Sequence, residues 1–325
     1  MKRRTLLKLA PLSAGICALP ALAQSSTAAY PDRPVKIIVQ FPAGTTPDNL
    51  ARLAAEQLRG KLNQPFVVEN KPGAAGNIAA EFVAKSPADG YTLLLGQVGL
   101  TWTANLFPNL RFDPAALKPV SIIADSPFVL AANPSLPANN IAEFIQLSKT
   151  RPGGLKCATS GPGSPQHLIA ELFMKQTGAK LDIIPYRGSS QVIPDLLAGH
   201  IDVLFNAAEG VLPFFPDGKL RPLATVDKAR LPLLPNVPTL REAGVDIATP
   251  MWVGLFAPPN TPNAVVQRIA NELRTMRNNA DALRKITSVG NNVVLSTPEE
   301  MQRAFTEDSR LWGGIIKSAG IKVTI

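Results

Sequence analysis

The chain has 325 residues, of which 46% are hydrophobic and 18% charged, and a formal net charge of +9. Its basic residues are scattered rather than gathered into a Lys/Arg block interleaved with aromatics, which argues against nucleic-acid binding. Two cysteines and two histidines cannot supply a disulfide framework or a dense metal cluster.

Residues 1–23 read as an export signal. Lys2, Arg3 and Arg4 form a positive start, and an apolar stretch from Leu6 to Leu22 follows, broken by Lys8, Pro11 and Pro20. Ala21-Leu22-Ala23 supplies the small-x-small pattern of a cleavage site before Gln24. The stretch is too short and too interrupted to span a bilayer. Arg3-Arg4-Thr5-Leu6-Leu7-Lys8 is similar to a twin-arginine signal, while Ile16 before Cys17 argues against a lipid anchor. Without Lys2, Arg3, Arg4 and Lys8 the remainder carries 29 basic and 24 acidic residues, net +5. Such an excess attracts anionic ligands. Only Cys157 remains, and its setting reads as a buried strand rather than a reactive thiol.

Val35 to Phe41 is β-branched and apolar, as a buried strand should be. It ends at Pro42-Ala43-Gly44-Thr45. Thr46 then reads as a helix N-cap, with Pro47 first in the helix and Asp48 favourable in its first turn. Leu50, Leu53, Ala54 and Leu58 mark one helical face. A second strand, Phe66 to Glu69, runs into the loop Asn70 to Gly76, and the following helix contains Ile78, Phe82 and Val83. Ala88-Asp89-Gly90 turns the chain into a third strand, Tyr91 to Leu95. The same grammar returns at Leu155 to Thr159, with the glycine-rich loop Ser160 to Ser164 and a helix marked by Leu168, Leu172 and Phe173. Asp182 to Tyr186 is a strand, Arg187 to Ser190 a loop, Val192 to Leu197 a helix, and Ile201 to Phe205 and Leu220 to Val226 are strands. Strands alternating with helices predict parallel sheets covered on both faces. The last quarter reads as mostly helical: Thr261-Pro262 opens a helix with Val265, Val266, Ile269 and Leu273, and Thr297-Pro298-Glu299-Glu300 is a capping box before Phe305, Leu311 and Trp312.

The informative loops sit where a strand's carboxyl end feeds a helix. Ligands of open parallel sheets bind there, against exposed N–H groups and the positive end of a helix dipole. Gly44, Gly161, Gly163 and Gly188 let the backbone approach, and Thr45, Ser160, Ser164, Ser189 and Ser190 add hydroxyls. Enzymatic constellations are mostly missing. There is no HExxH, CxxC or GxSxG, and His167 and His200 stand far apart. Gly161-Pro162-Gly163 lacks the third glycine of a dinucleotide fingerprint. Neither a cofactor nor a metal is expected.

Several segments in order carry a family resemblance. They include Tyr30 to Pro34, Phe41 to Gly44, Val67 to Gly73, Asp89 to Leu94, Pro185 to Gly188, Leu234 to Thr239, Glu242 to Gly244 and Trp252 to Pro258. Read together, they resemble the Bug family, the substrate-binding receptors of tripartite tricarboxylate transporters. The resemblance implies an α/β, two-lobed periplasmic-binding-protein fold, each lobe a mostly parallel sheet flanked by helices, with the ligand cleft between them. The lobes are expected over 28–126 plus 250–325 and over 127–249. The implied function is capture of a small carboxylate in the periplasm and its delivery to integral membrane transporter subunits, by a monomer and without catalysis. A periplasmic ligand sensor feeding a two-component system is the alternative, and an enzyme acting on a carboxylate a further one.

By the same resemblance, the loop Phe41 to Thr46 faces the loop Ser160 to His167, and backbone groups and ordered waters hold the ligand's proximal carboxylate. The expected ligand-binding set is Phe41, Ala43, Gly44, Thr45, Gln97, Ser160, Ser164, Gln166, His167, Arg187, Ser189 and Asn206. Three of these regions depart from the family pattern. Thr45 replaces a second glycine before the stiffening Pro47. Arg187 replaces the usual Lys and brings a planar fork suited to carboxylates. Asn206 replaces an Asp, leaving a neutral amide that can donate to a second carboxylate or a hydroxyl.

Overall fold

A computed structural model describes residues 30–186 and 191–323. The unit that starts at Pro31 carries two sheets. Strand β1 (Val35–Val39) leads into helix α1 (Thr46–Leu62), β2 (Phe66–Asn70), α2 (Asn77–Ala84) and β3 (Thr92–Gln97), the order read from the sequence. β1 lies between β2 and β3 and pairs with both in parallel. Val35, Ile37, Ile38 and Val39 are fully buried and Lys36 alone is exposed, which is why the strand is mostly apolar rather than alternating. Helix α1 buries the expected face of Leu50, Leu53, Ala54 and Leu58. Helix α2 instead turns Ala79, Ala80 and Val83 inward and leaves Ile78 and Phe82 exposed; the Lys71 ammonium sits 4.8 Å over the Phe82 ring.

Past the short helix α3 (Thr103–Leu106) and strand β4 (Lys118–Ser126), the chain crosses at Pro127 into β5 (Phe128–Ala132) of the second sheet. There α4 (Ile141–Thr150), β6 (Leu155–Thr159), α5 (Pro165–Thr177), β7 (Leu181–Pro185), α6 (Val192–Leu197), β8 (Val203–Ala207), α7 (Ala208–Val211) and β9 (Arg221–Val226) follow. Strand β10 (Met251–Ala257) returns to the first sheet, ahead of α8 (Asn263–Arg274), α9 (Ala280–Thr287), β11 (Asn292–Val293) and α10 (Pro298–Ala319). The strand orders are β11-β4-β10-β3-β1-β2 and β7-β6-β8-β5-β9. β6 pairs in parallel with β7 and β8, β5 is antiparallel to β8 and β9, and β10 is antiparallel to β3 and β4. Each lobe is therefore parallel where β-α-β units feed it, and mixed where the crossing strands insert.

Gly254 makes one insertion fit. A Cβ there would lie 2.7 Å from the Ser121 carbonyl oxygen and 2.8 Å from Met301 Cε, so only glycine lets β10, β4 and α10 close up. Helix α10 buries Phe305, Trp312, Ile315 and Ile316, and Trp312 meets Trp102 edge-on at 5.6 Å. Phe144, Phe173 and Phe205 form a tilted chain through the second lobe. Cys157 is fully buried, and burial pushes its thiol up to about 12, in keeping with a structural residue. Among the described residues no helix is long and apolar enough to cross a membrane.

Candidate ligand-binding cleft

Asp48 fixes the first loop. Its nearly inaccessible carboxylate accepts the Gly44 N–H at 2.9 Å, Asn70 Nδ2 at 2.9 Å, and both Nε and Nη2 of Arg52 at 3.0 and 3.1 Å. Burial pushes this carboxyl up, but the hydrogen bonds from Arg52, Gly44 and Asn70, with the Arg52 charge, outweigh it and hold the group below its ordinary value. Asn70 also donates to the Phe41 carbonyl at 3.0 Å, so the end of β2 braces the end of β1. The N-cap of α1 is Thr45 rather than Thr46, and the Thr45 hydroxyl donates back to the Pro42 carbonyl at 2.8 Å. Thr46 is the first helical residue, and its hydroxyl donates across to Glu209 at the start of α7, tying the two lobes together.

The second loop is built with similar economy. Ser164 caps α5 by accepting the His167 N–H at 3.3 Å, the Gly163 N–H donates to His167 Nδ1 at 3.1 Å, and His167 Nε2 stands 3.4 Å from Glu171 Oε1. Both ring nitrogens of His167 are therefore engaged within its own loop and helix. The Ser160 hydroxyl donates to Gln166 Oε1 at 2.9 Å. Gly163, at φ +74°, is where Leu106 of the first lobe packs against the second.

These loops bound a cleft of about 660 Å³, a size typical of small-molecule sites. Phe41, Gln97, Ser160 and Ser164 line it. Ala43, Gly44 and Thr45 follow the lining residue Pro42 in the same loop, and Gln166 and His167 brace the loop opposite. Asn206 is the next-to-last residue of β8 and is buried; its Nδ2 donates to the Ala207 carbonyl at 3.2 Å with Gly210 packed closely over it. Arg187 and Ser189 lie outside the described residues.

Most of the lining residues were not in the expected set, among them Gln40, Asn77, Trp102, Thr103, Leu106 and Phe107. Gln40 had a legible signal, an amide directly after a mostly apolar strand. It is 4% exposed and donates to the Gly76 carbonyl at 3.0 Å. Asn77 accepts from the Thr103 hydroxyl at 2.9 Å, a contact between segments 26 residues apart that no local pattern announces.

Two lobes with loops from strand ends facing one cleft are the architecture of a solute-binding receptor, and residues 50–321 match the model of the tripartite tricarboxylate transporter family receptor. The chain belongs to that family. Protein BugT of Bordetella pertussis is 34% identical over 90% of this chain and 91% of its own. The solved structure of R. palustris Rpa4515 with adipate is 34% identical, covers 90% of this chain and all of its own, and superposes with a TM-score of 0.78. MatC of Rhodopseudomonas palustris with bound malate is 28% identical over 88% of this chain and all of its own, with a TM-score of 0.74. As a receptor of this family the chain is a periplasmic binding protein of Bug type, and the family is one of receptors rather than enzymes.

Proposed function

We propose that this receptor captures a small carboxylate between its lobes and passes it to the membrane subunits of a tripartite tricarboxylate-type transporter, without chemical change to the ligand. The observation that carries this reading is the facing pair of loops, Phe41–Thr45 and Ser160–His167, each pre-set by its own hydrogen bonds at the start of a long helix. The first-turn N–H groups left without a partner within their helices or from a cap, those of Thr46 and Asp48 in α1 and of Gln166 in α5, favour an anion. The adipate in Rpa4515 and the malate in MatC support a carboxylate ligand. A micromolar dissociation constant corresponds to about −8 kcal/mol, and four or five hydrogen bonds to a carboxylate, at roughly 1.5–3 kcal/mol each, reach it after association costs.

In this reading residues 1–23 export the chain and are removed, and the lobes divide at 126/127 and 249/250. Ser160, Ser164 and the 41–45 backbone meet the carboxylate, while Gln166 and His167 hold the loop in place. A thermal-shift screen of the protein starting at Gln24, against a carboxylate library, tests it. Ligands of the native state raise the midpoint with the logarithm of concentration over dissociation constant. At least one acid should shift it; a library of mono-, di- and tricarboxylates giving no shift, with calorimetry equally silent, would sink the receptor reading.

A further inference from the structure

A second cavity, of about 420 Å³, opens beside helix α1. Its walls are one face of α1, the end of α9 and the loop that leads into β11. Among the described residues it shares no lining residue with the ligand-binding cleft. Leu50, Leu53 and Ile286 give it a buried aliphatic side. Its charged lining residues, Arg52, Glu56 and Lys285, have side chains more than half exposed, so the charges stand at the mouth. Arg52 is also held by Asp48, and Lys285 stands 3.9 Å from Glu56.

Asn291 is the residue that turns this hollow into a candidate site. It lines the cavity and is only 3% exposed. Its Oδ1 accepts the Ser126 hydroxyl at 2.7 Å, whereas its Nδ2 is buried with no hydrogen-bond partner among the described residues. An unpaired buried amide is costly, and an acceptor supplied by a ligand would remove that cost. The loop that carries it is held from several sides. A Cβ on Gly290 would lie 2.7 Å from Leu212 Cδ1 and 3.3 Å from Ala208 Cβ, and Asn292 donates to both Asp125 and Asp227. The opposite wall is fixed as well, through Thr46 to Glu209 and Arg52 to Asp48. A cavity with both walls pinned is preformed, which lowers the cost of filling it.

We propose that the cavity between α1 and the 288–291 loop is a second ligand site, separate from the cleft, for a small uncharged molecule with a carbonyl-type oxygen on a compact apolar body. Asn291 Nδ2 donates to that oxygen, and Leu50, Leu53 and Ile286 cover the body. A charged head in the same place would lose its water against aliphatic side chains. The site stands independently of the receptor reading, which concerns the cleft.

Nuclear magnetic resonance titration of the nitrogen-15-labelled protein starting at Gln24 tests it, with three probes that share one ring and differ in charge: cyclohexanone, cyclohexanecarboxylate and cyclohexylammonium. Cyclohexanone should shift the Asn291 side-chain amide and the backbone amides of Ile286 and Val289 saturably, at concentrations at least fivefold lower than either charged probe. Asn291→Leu, which removes the donor at similar volume, should weaken cyclohexanone at least fivefold as followed at Ile286 and Val289. Val289→Trp alters an exposed lining position and spares the buried contacts; it should weaken the same probe by obstruction. A charged probe binding here as tightly as cyclohexanone would overturn the ligand class. Unchanged cyclohexanone affinity in folded Asn291→Leu would overturn the role of the amide. No saturable shift at these positions with any probe would overturn the site and leave a water as the amide's partner. The wild-type titrations decide site and class even if a variant fails to fold, and none of these outcomes bears on carboxylate capture in the cleft.

Discussion

Gly163 joins two constraints in one residue. It sits at φ +74°, and a Cβ there would press on Leu106 Cδ1 of the other lobe. Gly153 shares the backbone strain, at φ +79°, but has open space around it, which makes it a matched control. Placing an L-residue in left-handed backbone costs roughly 1–2 kcal/mol. Gly153→Ala should therefore lose about that much stability in urea unfolding and leave ligand binding unchanged. Gly163→Ala should lose the same amount, hold the lobes apart as well, and weaken binding at least tenfold by calorimetry. Equal behaviour of the two variants would show that the Leu106 contact does not govern closure. The sequence announced the glycine at 163 as a loop residue, but not its partner. That pairing depends on α3 lying opposite the α5 loop, a contact between residues 57 positions apart in the chain.

Elements differ in how much of themselves they display in sequence. α1 and α5 were legible because each has a Pro in its first two positions after a glycine-bearing loop and shows one apolar face. α10 was legible from its capping box: Thr297 Oγ1 accepts the Glu300 N–H at 3.2 Å and the Glu300 carboxylate accepts the Thr297 N–H at 2.8 Å. β5 and β10 were not assigned, because all their residues are buried and a strand covered on both faces has no period-2 signal. Their antiparallel insertion is set by long-range pairing with β8, β9, β3 and β4, which no window contains. α2 misleads in the opposite sense, since its large apolar residues Ile78 and Phe82 face outward while small ones pack. For α10 the structure supports a direct test. Thr297→Ala removes a reciprocal cap, and should lower unfolding free energy by about 0.5–2 kcal/mol. Ligand affinity should stay within twofold, since Thr297 is not among the cleft's lining residues. A loss of affinity as large as the loss of stability would mean that α10 transmits to the cleft, through Trp312 and Trp102.

At the scale of the whole molecule, the lobes are joined where β4 passes into β5 and where the chain leaves β9, and each place carries a carboxylate. Asp125 is the next-to-last residue of β4 and Asp227 follows β9; Asn292 of β11 donates to both, at 2.8 and 2.7 Å. Asp308 of α10 accepts from Trp252 Nε1 at 2.7 Å. Lys228 is the cation whose charge acts on both Asp125 and Asp308, while Asp227 opposes Asp125 and Glu307 opposes Asp308. Burial, then the neighbouring acid, raises Asp125 from 3.8 to about 6, and Asp308 likewise to about 6. The sign follows from proton linkage. Between about pH 4 and 6 the folded state binds more protons than the unfolded one, so stability falls as pH rises through that window and the full penalty is present above it. For half-buried groups this amounts to the order of 1–2 kcal/mol each. The carboxyls held low, Asp48 and Glu69 among them, act oppositely and only at lower pH, where their protonation removes stability. Asp125→Asn separates the two effects, because its amide oxygen can still accept from Asn292 while the charge is gone. Urea unfolding at several pH values should find this variant at least as stable as the parent at pH 7.5, with the difference shrinking toward zero near pH 4. A variant less stable than the parent at pH 7.5 and equally so at pH 4.5 would show that the charged form of Asp125 is favoured at the hinge, against the raised value that burial and Asp227 give it.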